Sequence, residues 1–214
     1  MAVDPTEFAR RTRLHYRDSF ERHGPTPQGV DWNGEASQRR QFDELMRILP
    51  AAGPFSVNDF GCGYGALADV LLARGPGITY SGVDLNEEMI AAARARFASN
   101  PAVTFEVADR PLTEADFGVA SGTFTLRLGR SDEQCLASMT EALDAIDRTS
   151  RAGFAFNCLT SYSDAPKMRD YLYYPDPCVV FDLCKRRWSR HVALLHDYGL
   201  YAFTMLVRKA EPVS

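Results

Sequence analysis

The chain has 214 residues, 24% of them charged and 45% hydrophobic, with a formal net charge of −4, which is the profile of one folded domain with a sizeable core. An acidic balance gives no global basic field for nucleic acid or an anionic membrane surface, and no apolar run approaches the roughly 18 residues of a membrane span. Five scattered cysteines without a C-x-x-C pair argue against a disulfide framework or a zinc site and for a reducing compartment, so the expected location is the cytoplasm.

Asp4-Pro5-Thr6-Glu7 predicts a helix start, with Asp4 as N-cap and Glu7 reaching back; the helix is expected to run to about residue 22 and stop before Gly24-Pro25. Its charged run from Asp4 to Arg17 is unlike a signal peptide. A Gly- and Pro-rich loop follows and carries Trp32. A second helix is predicted over 35–49, because Phe42, Leu45, Met46 and Leu49 share one face. From residue 55 strands and helices alternate. Strands are predicted at 56–60, 78–83, 103–107, 117–120 and 153–159, and helices at 64–74, 86–98 and 131–149. That alternation predicts a parallel sheet covered by helices on both faces. Residues 191–197 and 202–207 read as two strands joined by a connection too short for anything but antiparallel pairing.

The first strand runs into Asp59-Phe60-Gly61-Cys62-Gly63-Tyr64-Gly65, an acid followed by glycines at every second position before a helix. Glycines let backbone approach a ligand closely, and the helix start offers free N–H groups to it. The carboxylate of Asp59 would repel a phosphate and welcome an ammonium. This spacing resembles the E/D-x-G-x-G-x-G motif of class I S-adenosylmethionine-dependent methyltransferases. The resemblance implies a three-layer, doubly wound α/β fold with a seven-stranded sheet, mostly parallel with strand seven antiparallel, plus an N-terminal helical cap. It implies one methyltransferase domain over 1–214, with the cap in 1–50, the cofactor-binding core in 55–160, and an acceptor-side insertion and C-terminal hairpin in 160–208. Asn58, where an aliphatic residue is usual, is a mild departure from the motif.

Within the resemblance, Asp59, Gly61, Cys62, Gly63, Tyr64 and Gly65 cradle the amino-acid end of S-adenosylmethionine, whose product is S-adenosylhomocysteine. Asp84 closes the second strand, where an acid accepts hydrogen bonds from ribose hydroxyls. Leu85 and Met89 flank the adenine. Asp109, with Arg110 beside it, follows the third strand, where the family places an acid against the adenine amine. Ser121 follows the fourth strand, at the sheet edge that faces the methyl group. Tyr64, ahead of Tyr16, is the candidate for cation–π contact with the sulfonium. Arg39 or Arg40 could reach the cofactor carboxylate. His23 and His196 are the candidate general bases, and no residue is assigned to a metal.

The segment 160–187 is rich in aromatic and basic residues and reads as a lid over a small, anionic organic acceptor. The Asn-Pro-Pro-Tyr type tetrad of many DNA and protein amino-methyltransferases is replaced by Ala120-Ser121-Gly122-Thr123-Phe124, which favours a small-molecule acceptor. Two alternatives remain at this point. Gly61-x-Gly63-x-x-Ala66 with Asp84 also satisfies a nicotinamide dinucleotide fingerprint. The chain could also be a non-catalytic S-adenosylmethionine-binding subunit.

Overall fold

The computed structural model describes residues 4–111 and 113–209. Helix α1 spans Pro5–His23 and α2 spans Glu35–Leu45. The sheet strands are β1 Phe55–Phe60, β2 Ile78–Asp84, β3 Val103–Val107, β4 Ala115–Ala120, β5 Ser150–Leu159, β6 His191–Leu195 and β7 Ala202–Arg208. Between them lie α3 Ala66–Leu72, α4 Glu87–Arg96, α5 Asp132–Arg148 and α6 Pro177–Arg187.

The seven strands form one sheet in the order β3-β2-β1-β4-β5-β7-β6. β7 runs antiparallel to both its neighbours, and the other pairings within the sheet are parallel. This matches the expected doubly wound sheet. It differs from the 3-2-1-4-5-6 order of the dinucleotide fold, because β7 is inserted between β5 and β6. The nicotinamide alternative therefore lacks its architecture.

The two faces of the sheet follow from the period of two along each strand. On β5, Phe154, Phe156 and Cys158 point to a cluster with Met139, Leu143 and Ile146 of α5 and Val180 and Cys184 of α6. Ala155, between them, points the other way, to a cluster holding Leu45 of α2, Leu67 and Leu71 of α3 and Ile90 of α4. β7 repeats the pattern, with Phe203, Met205 and Val207 on the α5/α6 side and Leu206 on the opposite side.

Local signals account for the helix ends. Asp4 accepts hydrogen bonds from the N–H groups of Thr6 and Glu7, Asn86 caps α4 by accepting from Met89, and Ser131 and Gln134 form a reciprocal capping box on α5. Glu7 does not reach back to the cap; its carboxylate pairs with Arg10 and Arg11, one turn further on. Charge attraction at that spacing outweighs a neutral backbone contact.

The segment expected to act as a lid divides in two. Residues 177–187 form α6, which buries Val180 and Cys184 in the core and packs Phe181 against it. The apolar side chains at four-residue spacing commit this part to the sheet face rather than to a ligand. The preceding loop stays near α1, with the Tyr171 ring 5.7 Å from that of His15. Helix α1 itself crosses the carboxyl edge of the sheet. The Arg130 guanidinium before α5 lies 4.2 Å over the Phe8 ring, and Arg17 reaches Glu88 at the start of α4 at 3.4 Å. Among the described residues no helix is long and apolar enough to cross a membrane.

Candidate active site

A cavity opens between α1, the Trp32 loop and the carboxyl ends of β1, β2 and β4. The space there, open solvent at its mouth included, is about 670 Å³. Ligands of open α/β sheets bind at this edge. A smaller cavity adjoins it, lined by Asp59, Cys62, Tyr64 and Gln38; the two share Val30, Trp32, Gly61, Gly63 and Ser121.

The loop after β1 is tied to the end of β2. The N–H groups of Gly61 and Cys62 both donate to the Val83 carbonyl, at 2.8 and 3.1 Å. The Gly63 N–H donates to Asp84 Oδ2 at 2.9 Å. Gly63 has φ of +54°, and a Cβ there would meet Val30 Cγ1 at 3.3 Å, so its bare backbone is what shapes the cradle. Gly65 serves a different purpose. It lines neither cavity, and a Cβ on it would stand 2.9 Å from the Phe105 ring, so this glycine lets α3 pack against β3.

Asp59 ends up buried, 2% exposed. Its Oδ2 accepts a 2.5 Å hydrogen bond from the Tyr80 hydroxyl, and its Oδ1 is buried with no partner. Burial pushes this carboxyl up to about 7, against the opposing pull of the Tyr80 hydrogen bond. Asp84 is better supplied, accepting from the N–H groups of Gly63 and Asn86 at 2.9 Å each, while burial still raises its pKa. Leu85 and Met89 line the larger cavity, joined by Asn86 and Ala108.

Ser121 and Gly122 are held by a residue that sequence reading missed. Asn157 on β5 is 1% exposed; its Oδ1 accepts from the Gly122 N–H at 2.7 Å and its Nδ2 donates to Ser121 Oγ at 3.1 Å. A lone amide inside Phe154-Ala155-Phe156-Asn157-Cys158-Leu159 was the available signal, since a buried polar side chain must find partners. Thr123 adds a hydrogen bond from its hydroxyl to the Phe60 carbonyl at 2.9 Å.

Other expected residues stand elsewhere. Asp109 and Arg110 are exposed, bonded to each other at 2.9 and 3.1 Å, and neither lines a cavity; Ala108 takes the wall position instead. Solvated neighbours of opposite charge satisfy one another there, so nothing turns Asp109 inward. His23 is exposed at the end of α1, and His196 packs beside the rings of Tyr162 and Phe203 at 5.8 and 6.1 Å, beyond the end of β6. Neither histidine lines a cavity. Arg39 and Arg40 are paired along their own helix with Asp43 and Glu44. The Tyr64 ring already carries the Arg96 guanidinium at 5.6 Å, whereas Tyr16 lines the larger cavity with its hydroxyl 3.3 Å from Thr125 Oγ1. Tyr16 and Trp32 thus stand in the wall of the larger cavity, and Tyr64 only in that of the smaller one.

Comparison with known proteins gives consistent matches. A family described as a methyltransferase domain matches residues 57–153. The Mycobacterium tuberculosis protein Rv1506c, assigned by name as a methyltransferase, is 59% identical over 166 residues, covering 78% of this chain and 100% of that protein. Trans-aconitate 2-methyltransferase of Methylobacterium nodulans is 41% identical over 86 residues, which is 37% of this chain and 32% of that enzyme. The crystal structure of magnesium protoporphyrin IX methyltransferase from Synechocystis with bound S-adenosylhomocysteine superposes with a TM-score of 0.68 at 14% identity, covering 97% of this chain and 100% of that one. At that identity the structural match speaks for the fold alone.

Proposed function

The chain belongs to the class I S-adenosylmethionine-dependent methyltransferases, and on that premise we propose that it methylates a small-molecule acceptor at the carboxyl edge of its sheet. One observation carries the placement of the cofactor. Asp59 Oδ1 is a buried carboxylate oxygen without a partner, beside a backbone cradle in which a Cβ on Gly63 would crowd Val30 and sit at a positive φ. An ammonium donor supplies what that oxygen lacks, and a phosphate would be repelled by it. The residues present thus fit the amino-acid end of S-adenosylmethionine.

When bound, that cofactor supplies a methyl group on a sulfonium, already a strong electrophile. The protein's part is to bind and align. Asp59 holds the ammonium, with Tyr80 fixing its carboxylate. Asp84 receives the ribose hydroxyls, and Leu85, Met89 and Ala108 bound the adenine. Asn157 keeps Ser121 and Gly122 in place below Trp32, whose ring would stand 3.1 Å from a Cβ on Gly122. Orientation of this kind contributes roughly 7–11 kcal/mol to a bimolecular reaction. Trp32, Phe60 and Tyr16 give the same space an aromatic wall.

A small-molecule acceptor is supported by the position of the cavity at the carboxyl edge of the sheet and by the relative named for trans-aconitate. A single domain acting in the cytoplasm, with no nucleic-acid or membrane partner, completes the reading; the net charge of −4 supports it. Calorimetric titration with S-adenosylmethionine, S-adenosylhomocysteine and NAD tests the cofactor. Micromolar binding of the first two without NAD is the expected outcome; binding of NAD alone overturns it. Turnover with any acceptor removes the alternative of a non-catalytic subunit.

A further inference from the structure

The wall of the larger cavity limits what can be methylated there. Its titratable side chains, among the described residues, are Arg13, Tyr16 and Asp84. None is suited to take a proton from an acceptor. Arg13 stays cationic. Burial pushes the Tyr16 hydroxyl up to about 12, so it is neutral. Asp84 is engaged by two backbone N–H groups and serves the ribose in the reading above. His15, on the same helix, turns its Nε2 to Asp31 and does not line the cavity. Alcohols, phenols and ammonium groups must shed a proton to become methylated. A carboxylate is already ionised at neutral pH and needs no base.

The same wall carries an unused cation. Arg10 and Arg11 are tied to Glu7, and Arg17 to Glu21 and Glu88. Arg13, between them, faces the cavity, and among the described residues it makes neither an ion pair nor a hydrogen bond. Beside it the Thr12 hydroxyl is buried without a partner. Thr12, Arg13 and Tyr16 line this space from neighbouring positions of α1, and Arg13 brings a forked cation to it. The planar guanidinium matches a carboxylate in two parallel hydrogen bonds.

Resting on the methyltransferase reading, we infer that the acceptor is a small polycarboxylic acid, anchored through one carboxylate by Arg13 and methylated on another without a general base. In the step, a lone pair of a carboxylate oxygen forms the new O–CH₃ bond as the methyl–sulfur bond breaks and its electron pair passes to sulfur. A methyl ester and a neutral thioether result, and no proton is released. The anchored carboxylate is a poor nucleophile because its lone pairs are held by the guanidinium, so two carboxylates are needed.

The test incubates the full chain with methyl-labelled S-adenosylmethionine and malonate, succinate, fumarate, citrate or trans-aconitate in parallel, with catechol and a primary alkylamine as comparators. Label that alkali releases as methanol, with no acidification per turnover, is expected for at least one acid. Arg13→Gln should raise KM for that acid about tenfold or more, while the Kd for S-adenosylhomocysteine stays within about twofold. Label in none of the acids, alkali-stable label, or a proton released per turnover overturns the inference. So does a weakened Kd in Arg13→Gln, which would place the guanidinium on the cofactor. Failure of the unaltered protein to bind S-adenosylhomocysteine would instead overturn the methyltransferase reading beneath it.

Discussion

The Tyr80 hydroxyl donates a 2.5 Å hydrogen bond to Asp59 Oδ2 and leaves Oδ1 of the same carboxylate buried and unpaired. The two residues sit on adjacent parallel strands, β1 and β2, so the sheet itself sets their distance. A carboxylate held by one donor and short of another is prepared for a cation, at the expense of the free protein's stability.

The sign of the pH dependence follows from that arrangement. Asp59 is raised to about 7 in the folded protein, above the ordinary carboxyl value near 4. Between those values the folded state holds a proton that the unfolded state does not, so the unliganded protein loses stability as pH rises from about 4 to about 7. Binding an ammonium requires the ionised form. The affinity for S-adenosylhomocysteine should therefore rise with pH up to about 7 and then level off, with proton release on binding below that point. Calorimetry in buffers of different ionisation enthalpy measures the proton count, and Asp59→Asn should abolish it.

Tyr80→Phe leaves both carboxylate oxygens of Asp59 without partners. An unsatisfied buried acceptor costs about 1–3 kcal/mol. The Asp59 pKa should climb further, and binding of S-adenosylhomocysteine at pH 7 should weaken about tenfold. Methylthioadenosine, which lacks the amino-acid moiety, should bind the variant as it binds the parent. Equal losses for both ligands would show general damage to the site.

Asp84→Ala removes the acceptor of the Gly63 N–H together with the ribose contact. Cofactor affinity should fall about tenfold or more. The melting temperature should fall as well, because the glycine loop loses its tie to β2; unchanged affinity would remove Asp84 from the ribose role.

Asn157→Ala strips the Gly122 N–H and the Ser121 hydroxyl of their buried partner. Two such losses amount to roughly 2–6 kcal/mol of stability. The loop after β4 borders the reacting end of the cavity, so kcat should drop more than cofactor affinity does. Steady-state kinetics beside calorimetry separates the two.

His23→Ala and His196→Ala should each retain turnover within about twofold, because neither side chain lines a cavity. A loss of about a hundredfold in either variant would mean that the cap rearranges to bring an imidazole to the acceptor.

Much of the fold could be read along the chain because its causes are local. The acid and glycines at 59–65, the caps at Asp4, Asn86 and Ser131, and the apolar strands each act over a few residues. The antiparallel end of the sheet followed from the short link between β6 and β7 alone. The same held for Gly61, Gly63, Asp84, Leu85, Met89 and Ser121, which lie at strand ends whose direction the alternation of strand and helix sets; all of them line the larger cavity.

What the sequence by itself determined, then, was the architecture, the glycine cradle and the acids at the ends of β1 and β2, each through short-range geometry. Only the tertiary structure decided which side chains complete the site. Asn157 meets Gly122 across adjacent strands, Thr12 and Arg13 reach the cavity because α1 crosses the sheet edge, and Asp109 turns to Arg110 and solvent. It also decided that residues 177–187 pack as core rather than cover a ligand. These outcomes depend on packing between elements far apart in the chain. Residue type constrains what such a side chain can do, but its direction is set by the surfaces it meets on folding.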